Sequence, residues 1–347
     1  MQKKIIALAV AGLASTAVFA QSNVTVYGIA DVYGVAANSN GTHIAGVNSG
    51  GLSGSRLGFK GTEDLGGGNK ALFTLEYGLS MDDNTGVGAT TALARQQFVG
   101  LSGGMGTVVG GRLQTLVYNH NAAYNPTFGS VVDTLANVAG RANTGFSSNL
   151  GTAERLNNAV AYVAPAMGGV TLAAAHTFGT TTDTATASSN VRATEASAKY
   201  DGGPLSLGLV YQDVKLANGM TADQASRGTA LGVSYDLGPA KLMLDGNRQE
   251  SASNPDTVKV TTYNAAVVVP VSAKGSVVLS QAKAQNKSDN DWTSKALVYK
   301  HSLSARTTVY GGVASAASAG ATASLAGATS DTNGDVAAAL VGVNHSF

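Results

Sequence analysis

The chain has 347 residues, with 22 Lys and Arg against 21 Asp and Glu and no cysteine, a balance that excludes a basic nucleic-acid binder, a disulfide framework and a thiolate metal site. Only 12% of the residues are charged and 6% aromatic, while 44 are glycine. With a mean hydropathy of +0.08, the composition suits many short strands and tight turns rather than a helical membrane bundle or a disordered chain.

Met1 to Ala20 reads as a secretory signal. Lys3 and Lys4 form the basic start, Ile5 to Leu13 the apolar core and Val18-Phe19-Ala20 the small-residue cleavage site. Residues 1–20 are therefore assigned to the signal and 21–347 to one mature domain. No later stretch offers the roughly 18 consecutive apolar residues of a membrane helix, so any crossing must use strands.

Sixteen amphipathic segments follow. The first eight are Asn23–Gly34, Ser55–Glu63, Lys70–Met81, Leu93–Ser102, Gly106–Leu113, Arg155–Ala164, Gly169–Phe178 and Arg192–Tyr200. The others are Leu205–Lys215, Gly228–Leu237, Ala240–Gln249, Val258–Val269, Gly275–Ala284, Ser294–His301, Thr307–Ser315 and Ala337–Phe347. Short breaks such as Leu65–Asn69, Gly103–Met105 and Asp201–Pro204 alternate with long polar ones such as Ala36–Gly54, Gly179–Asn190 and Ala316–Asp331. Turns at one end and loops at the other are how a strand barrel threads a membrane, and sixteen staves leave an open aqueous interior. The predicted class is an all-β, 16-stranded antiparallel transmembrane barrel.

Period-two alternation is sharpest in three places. Ala71 to Tyr77 puts apolar residues at odd positions, with Thr74 and Glu76 between them. Tyr263, Ala265, Val267 and Val269 share one face, and the last strand sets Val341, Val343 and Phe347 against Gly342, Asn344 and Ser346. A soluble sandwich could also end on such a strand, so this pattern alone leaves both architectures open.

Whole-chain motifs separate them. Ser55-Arg-Leu-Gly-Phe-Lys-Gly-Thr-Glu-Asp-Leu-Gly-Gly-Gly68 resembles the general trimeric porins of beta-proteobacteria and neisseriae. So do Arg95-Gln-Gln-Phe-Val-Gly-Leu-Ser-Gly with Gly106-Thr-Val-Val-Gly-Gly-Arg112, Arg155-Leu-Asn-Asn-Ala-Val-Ala-Tyr162 and His301-Ser-Leu-Ser-Ala-Arg-Thr-Thr-Val-Tyr310. The opening Val24 to Asp31 and the closing Gly342 to Phe347 fit as well. The resemblance implies a homotrimer in outer-membrane lipid, each barrel a diffusion channel for small hydrophilic solutes and inorganic ions, narrowed by an inward-folded third loop. It implies no cofactor, no metal and no nucleic-acid partner. The terminal Phe347 is what such barrels present to the barrel-assembly machinery.

In that family, arginines on early strands line one wall of the constriction, and the matching positions are Arg56, Arg95 and Arg155. Arginine suits the role because it stays charged and its planar fork pairs with oxyanions. Arg112 opens the long third loop, Gln114 to roughly Glu154, and either lines the pore or anchors that loop. Family members usually place acids on this loop. Here Asn125 stands where an acid is expected, and Asp133 and Glu154 are the only acids in the region, so the local balance favours anions. His120 in the same loop reads as a polar lining residue, with a pH-sensitive gate as the alternative.

The five histidines are scattered, with no Gly-x-Ser-x-Gly elbow and no His-x-x-x-His pair, so an enzyme is not expected. Two non-enzymatic alternatives stay open: a substrate-specific channel, and a surface-adhesive barrel whose loops bind ligands.

Overall fold

The computed structural model describes residues 23–347 apart from 40–41, 84, 87–92, 143–153, 179–190, 217–225, 252–258, 287–290, 320–323, 327 and 330–333. The Met1–Ala20 signal lies outside the described residues. Up to the third loop the order is β1 (Asn23–Ser39), β2 (Thr42–Ser49), β3 (Arg56–Gly66), β4 (Asn69–Gly78), β5 (Leu93–Gly103) and β6 (Gly106–Gln114). The loop then forms two helices, α1 (Leu116–Tyr124) and α2 (Thr134–Ala142). Next come β7 (Arg155–Val163), β8 (Val170–Thr177), β9 (Val191–Gly202), β10 (Leu205–Leu216), β11 (Ser226–Asp236), β12 (Lys241–Ser251) and β13 (Lys259–Pro270). The chain ends with β14 (Gly275–Asn286), β15 (Asp291–Ser302), β16 (Thr307–Ala319), the short pair β17 (Ser324–Leu325) and β18 (Ala328–Thr329), and β19 (Asp335–Ser346).

Each stave pairs antiparallel with the next. β1 closes the ring against β19, from Ile29 opposite Ser346 to Asn38 opposite Ala337. β2 and β3 share one stave: β2 pairs with the far half of β1 and β3 with its near half. The result is a closed 16-stranded antiparallel barrel, which leaves no sheet edge to template pairing with another chain.

Alternation decides what each face meets. On β19, Val341 is 67% and Val343 46% exposed on the outside, while Ala338 and Leu340 are buried inside. Outward Leu242, Leu244, Leu279 and Leu297 continue the apolar surface around the wall, which water could not tolerate but lipid can. Inside, Tyr33, Val35, Val298, Tyr310, Val336 and Leu340 pack with Val132 of the third loop and Leu325 of β17. The turn between β3 and β4 needs left-handed backbone at Gly66, Gly67 and Gly68 (φ 80°, 62° and 79°), a run that only glycine adopts without strain.

All sixteen expected segments are strands. The structure adds three features. β2 lies within the break expected at Ala36–Gly54, the third loop contains α1 and α2, and the β17–β18 pair lies within the break expected at Ala316–Asp331.

Candidate functional site

The inward ends of β3, β5 and β7 bring Arg56, Arg95 and Arg155 together. They are near enough that the charges of Arg95, Glu76 and Arg155 all act on the Arg56 guanidinium. Local backbone explains the aim of two of them. β3 begins after a bend at residues 50–55, and the Arg56 Nε donates to the Gly54 carbonyl at 2.9 Å. Arg95 is the extra residue of a bulge, since Glu76 pairs with Gln96 and Tyr77 with Ala94. A bulge re-aims a side chain that strict alternation would send elsewhere.

The carboxylates near these guanidiniums come from the wall and the loop's end. Arg95 Nε donates to Glu76 Oε1 at 2.6 Å, and the Tyr27 hydroxyl donates to Glu76 Oε2 at 3.0 Å. Arg155 Nη1 donates to Glu154 Oε2 at 2.8 Å, and its guanidinium lies 5.0 Å from the Tyr118 ring centroid. Among the described residues no carboxylate bonds Arg56. Three guanidiniums against Glu76 and Glu154 leave an excess of one positive charge. Lys300 adds another cation against the loop, its Nζ 3.5 Å from the Pro126 carbonyl.

The third loop is pinned to the opposite wall, and its own polar groups are spent on the pinning. α1 packs on β8 to β12 and α2 on β13 to β16. Thr115 caps α1 by accepting from Tyr118 N, and Leu116 N donates to Glu195 of β9 at 2.6 Å. Buried His120 bonds Asp245 of β12 through Nε2 at 2.6 Å. The Tyr124 ring lies over Gly208 and Gly232, which face each other on β10 and β11 and where any Cβ would collide with it. Thr134 Oγ1 donates to Asn264 Oδ1 at 3.0 Å to hold α2.

Asp133 and Asn125 sit inside this loop. Asp133 is 3% exposed, and its carboxylate accepts from Gly129, Leu135 and Ala136 N–H groups and from the Asn125 amide. Burial pushes the Asp133 carboxyl up to about 6, against the pull of those donors. Asn125 is 2% exposed and its Oδ1 accepts from Thr127. Neither presents its polar group to water in the lumen. Arg112 stitches strands together: Nε donates to the Ala94 carbonyl at 2.8 Å and Nη1 to Asn157 Oδ1 at 2.5 Å. Phe347 closes the seam by exchanging backbone bonds with Gly28 at 3.1 and 3.2 Å, its ring laid over that glycine.

Sequence reasoning did not single out Glu76, Lys300 or Tyr118 as site residues. Glu76 carried a signal, since it falls with Thr74 on the polar face of an alternating strand.

A second hub holds the bend that precedes Arg56. The buried Asp31 carboxylate accepts from the backbone of Gly51, Leu52 and Ser53 (each 3.0 Å), from Tyr310 (2.5 Å) and from Asn344 (2.7 Å). It fixes the bend ahead of Arg56. Gly51 in turn accepts from Val131 N at 3.0 Å, tying the bend to the third loop.

The sequence profile described as "Gram-negative porin" matches residues 7–321. This chain belongs to the Gram-negative porin family. It is 34% identical over 320 residues to outer membrane porin protein 32 of Delftia acidovorans, covering 90% of this chain and 89% of that one. It is 41% identical over 133 residues, 36% of each chain, to the major outer membrane protein P.IB of Neisseria gonorrhoeae. A solved structure, the anion-selective porin from Comamonas acidovorans, superposes with a TM-score of 0.80 at 29% identity, over 94% of this chain and 100% of that one. The protein is thus an outer-membrane diffusion porin.

Proposed function

We propose that this porin is an anion-favouring general diffusion channel working as a homotrimer, with its constriction at Arg56, Arg95 and Arg155. The observation that carries the reading is the Arg56 guanidinium, bonded by no carboxylate among the described residues, in a cluster of three arginines facing a loop whose Asp133 is turned inward. Two unit charges about 8 Å apart interact by only ~0.5 kcal/mol in bulk water, and low-dielectric walls raise this severalfold. The anion-selective structural relative supports the same sign. Open passage of small solutes predicts ohmic current steps when purified protein enters a planar bilayer. Insertion without such steps would favour an adhesive barrel, and a saturable current blocked by one solute would favour a substrate-specific channel.

Outward Ala30, Ala337 and Ala339 support close approach of neighbouring barrels around the β1–β19 seam, whereas Ala338 points inward. In mild detergent the expected mass is that of three chains, and a stable monomer would refute the trimer. The half-exposed Phe347 ring at the seam supports its reading as the assembly signal. Deleting Phe347 should reduce folded barrel in the cell envelope, and an unchanged yield would refute that role.

A further inference from the structure

A guanidinium can grip a carboxylate or phosphate side-on, through Nε and one terminal nitrogen, with two parallel N–H bonds to two oxygens. Arg56, Arg95 and Arg112 have committed their Nε elsewhere: to the Gly54 carbonyl, to Glu76 and to the Ala94 carbonyl. Arg155 differs. Its Nε and Nη2 are both buried and have no hydrogen-bond partner among the described residues, because Glu154 takes only Nη1. The whole side chain is 9% exposed. Burying two charged donors without partners costs stability, and whatever lies over them must offset that cost.

The half-buried ring of Tyr118 lies there. Its centroid is 5.0 Å from the Arg155 guanidinium, within reach of a cation–π attraction. Phe128 meets the ring edge-on, with centroids 4.8 Å apart at 78°, and holds it against rotation. Thr115 fixes the stack from the backbone side. Its Oγ1 accepts from Tyr118 N at 3.0 Å, and its own N–H donates to the carbonyl of Glu154 at 3.1 Å, one residue ahead of Arg155. One cap residue therefore sets the ring and the guanidinium against each other.

We propose that Tyr118 is a specificity-determining residue that masks the Arg155 fork. Arg155 lends its charge to passing anions, while the ring keeps carboxylates and phosphates from gripping it. The inference rests on the arginine constriction proposed above. An open side-on fork beside Arg56 and Arg95 would retain an oxyanion and obstruct smaller anions behind it. The stacked ring leaves the wall attractive but not retentive, as free diffusion requires. Chloride, a sphere with no pair of oxygens to match the fork, is indifferent to the mask.

The test is chloride current through the full protein in planar bilayers, titrated with inorganic phosphate. Wild type should be blocked only weakly. Tyr118→Ala should be blocked at a phosphate concentration lower by on the order of tenfold, the gain expected from a charge-assisted contact. Tyr118→Phe keeps the ring and should match wild type. Arg155→Gln should undo the gain in Tyr118→Ala protein yet alter the wild-type block far less, which is the coupling a double-mutant cycle measures. Equal block in wild type and Tyr118→Ala overturns the proposal. So does a wild-type block that Arg155→Gln abolishes, a result that needs no change at Tyr118. Chloride preference retained alongside equal block would defeat the mask and leave the arginine constriction standing, whereas potassium preference in wild type would defeat both.

Discussion

Gly232→Val is expected to lower single-channel conductance and make the open current noisier. The Tyr124 ring is buried against the inner wall exactly where Gly208 and Gly232 lack side chains, and a branched Cβ at 232 occupies that space. The ring must then move toward the lumen, because the wall behind it is a hydrogen-bonded sheet. The Leu116–Glu195 and His120–Asp245 contacts still hold the start and middle of α1. Only its final turn lifts, narrowing the channel while the barrel stays folded. Overpacking of this kind costs about 1–3 kcal/mol, which suits a local distortion rather than global unfolding. Conductance indistinguishable from wild type, in protein that resists heat equally well, would show that the glycine slot does not set the loop's position.

Asp31→Ala is expected to produce the largest loss of stability of any single change near the pore. It strands three backbone N–H groups, the Tyr310 hydroxyl and the Asn344 amide in a buried site. Each buried donor left unpaired costs about 1–3 kcal/mol, so even with partial repair by water the loss is on the order of 4 kcal/mol. The bend at residues 50–55 should loosen, and with it both Arg56 and the bond from Val131 to Gly51. Urea unfolding of the refolded protein measures the first effect, and current fluctuation in bilayers the second. A midpoint within error of wild type would mean that the Asp31 cluster is incidental to the fold.

The barrel was legible because lipid on one side and loop or water on the other impose a strict period of two, as in Tyr263 to Val269 and Val341 to Phe347. β2 was hidden by composition. Thr42-His-Ile-Ala-Gly-Val-Asn-Ser49 is polar and glycine-bearing, and only Ile44 packs against the inner core while Val47 faces out. α1 left a fainter trace: Leu116, Val117, His120, Asn121 and Tyr124 all bury on one helical face, and Thr115 is a good cap. Polar His120 and Asn121 diluted the pattern, because that face meets Glu195 and Asp245 as well as the apolar Val210 and Ala230.

The site was legible in part for a related reason. Arg56, Arg95 and Arg155 begin strand motifs, so a shared level on the wall follows from sequence. Their partners depend on register and on loop folding. Glu76 meets Arg95 through a bulge that no local pattern announces, and Asp133 serves its own loop as a helix cap.

The zero-current potential across a bilayer under a KCl gradient tests the proposed constriction most directly. At salt near or below about 0.1 M, where screening is weak, chloride should permeate a few-fold to roughly tenfold faster than potassium. Glu76→Gln, which removes the carboxylate beside Arg95, should raise that ratio. Arg56→Ala/Arg95→Ala/Arg155→Ala should bring it close to one. A wild-type potential of the sign for potassium preference, or a triple variant as anion-selective as wild type, would contradict the assignment of these arginines as the selecting groups.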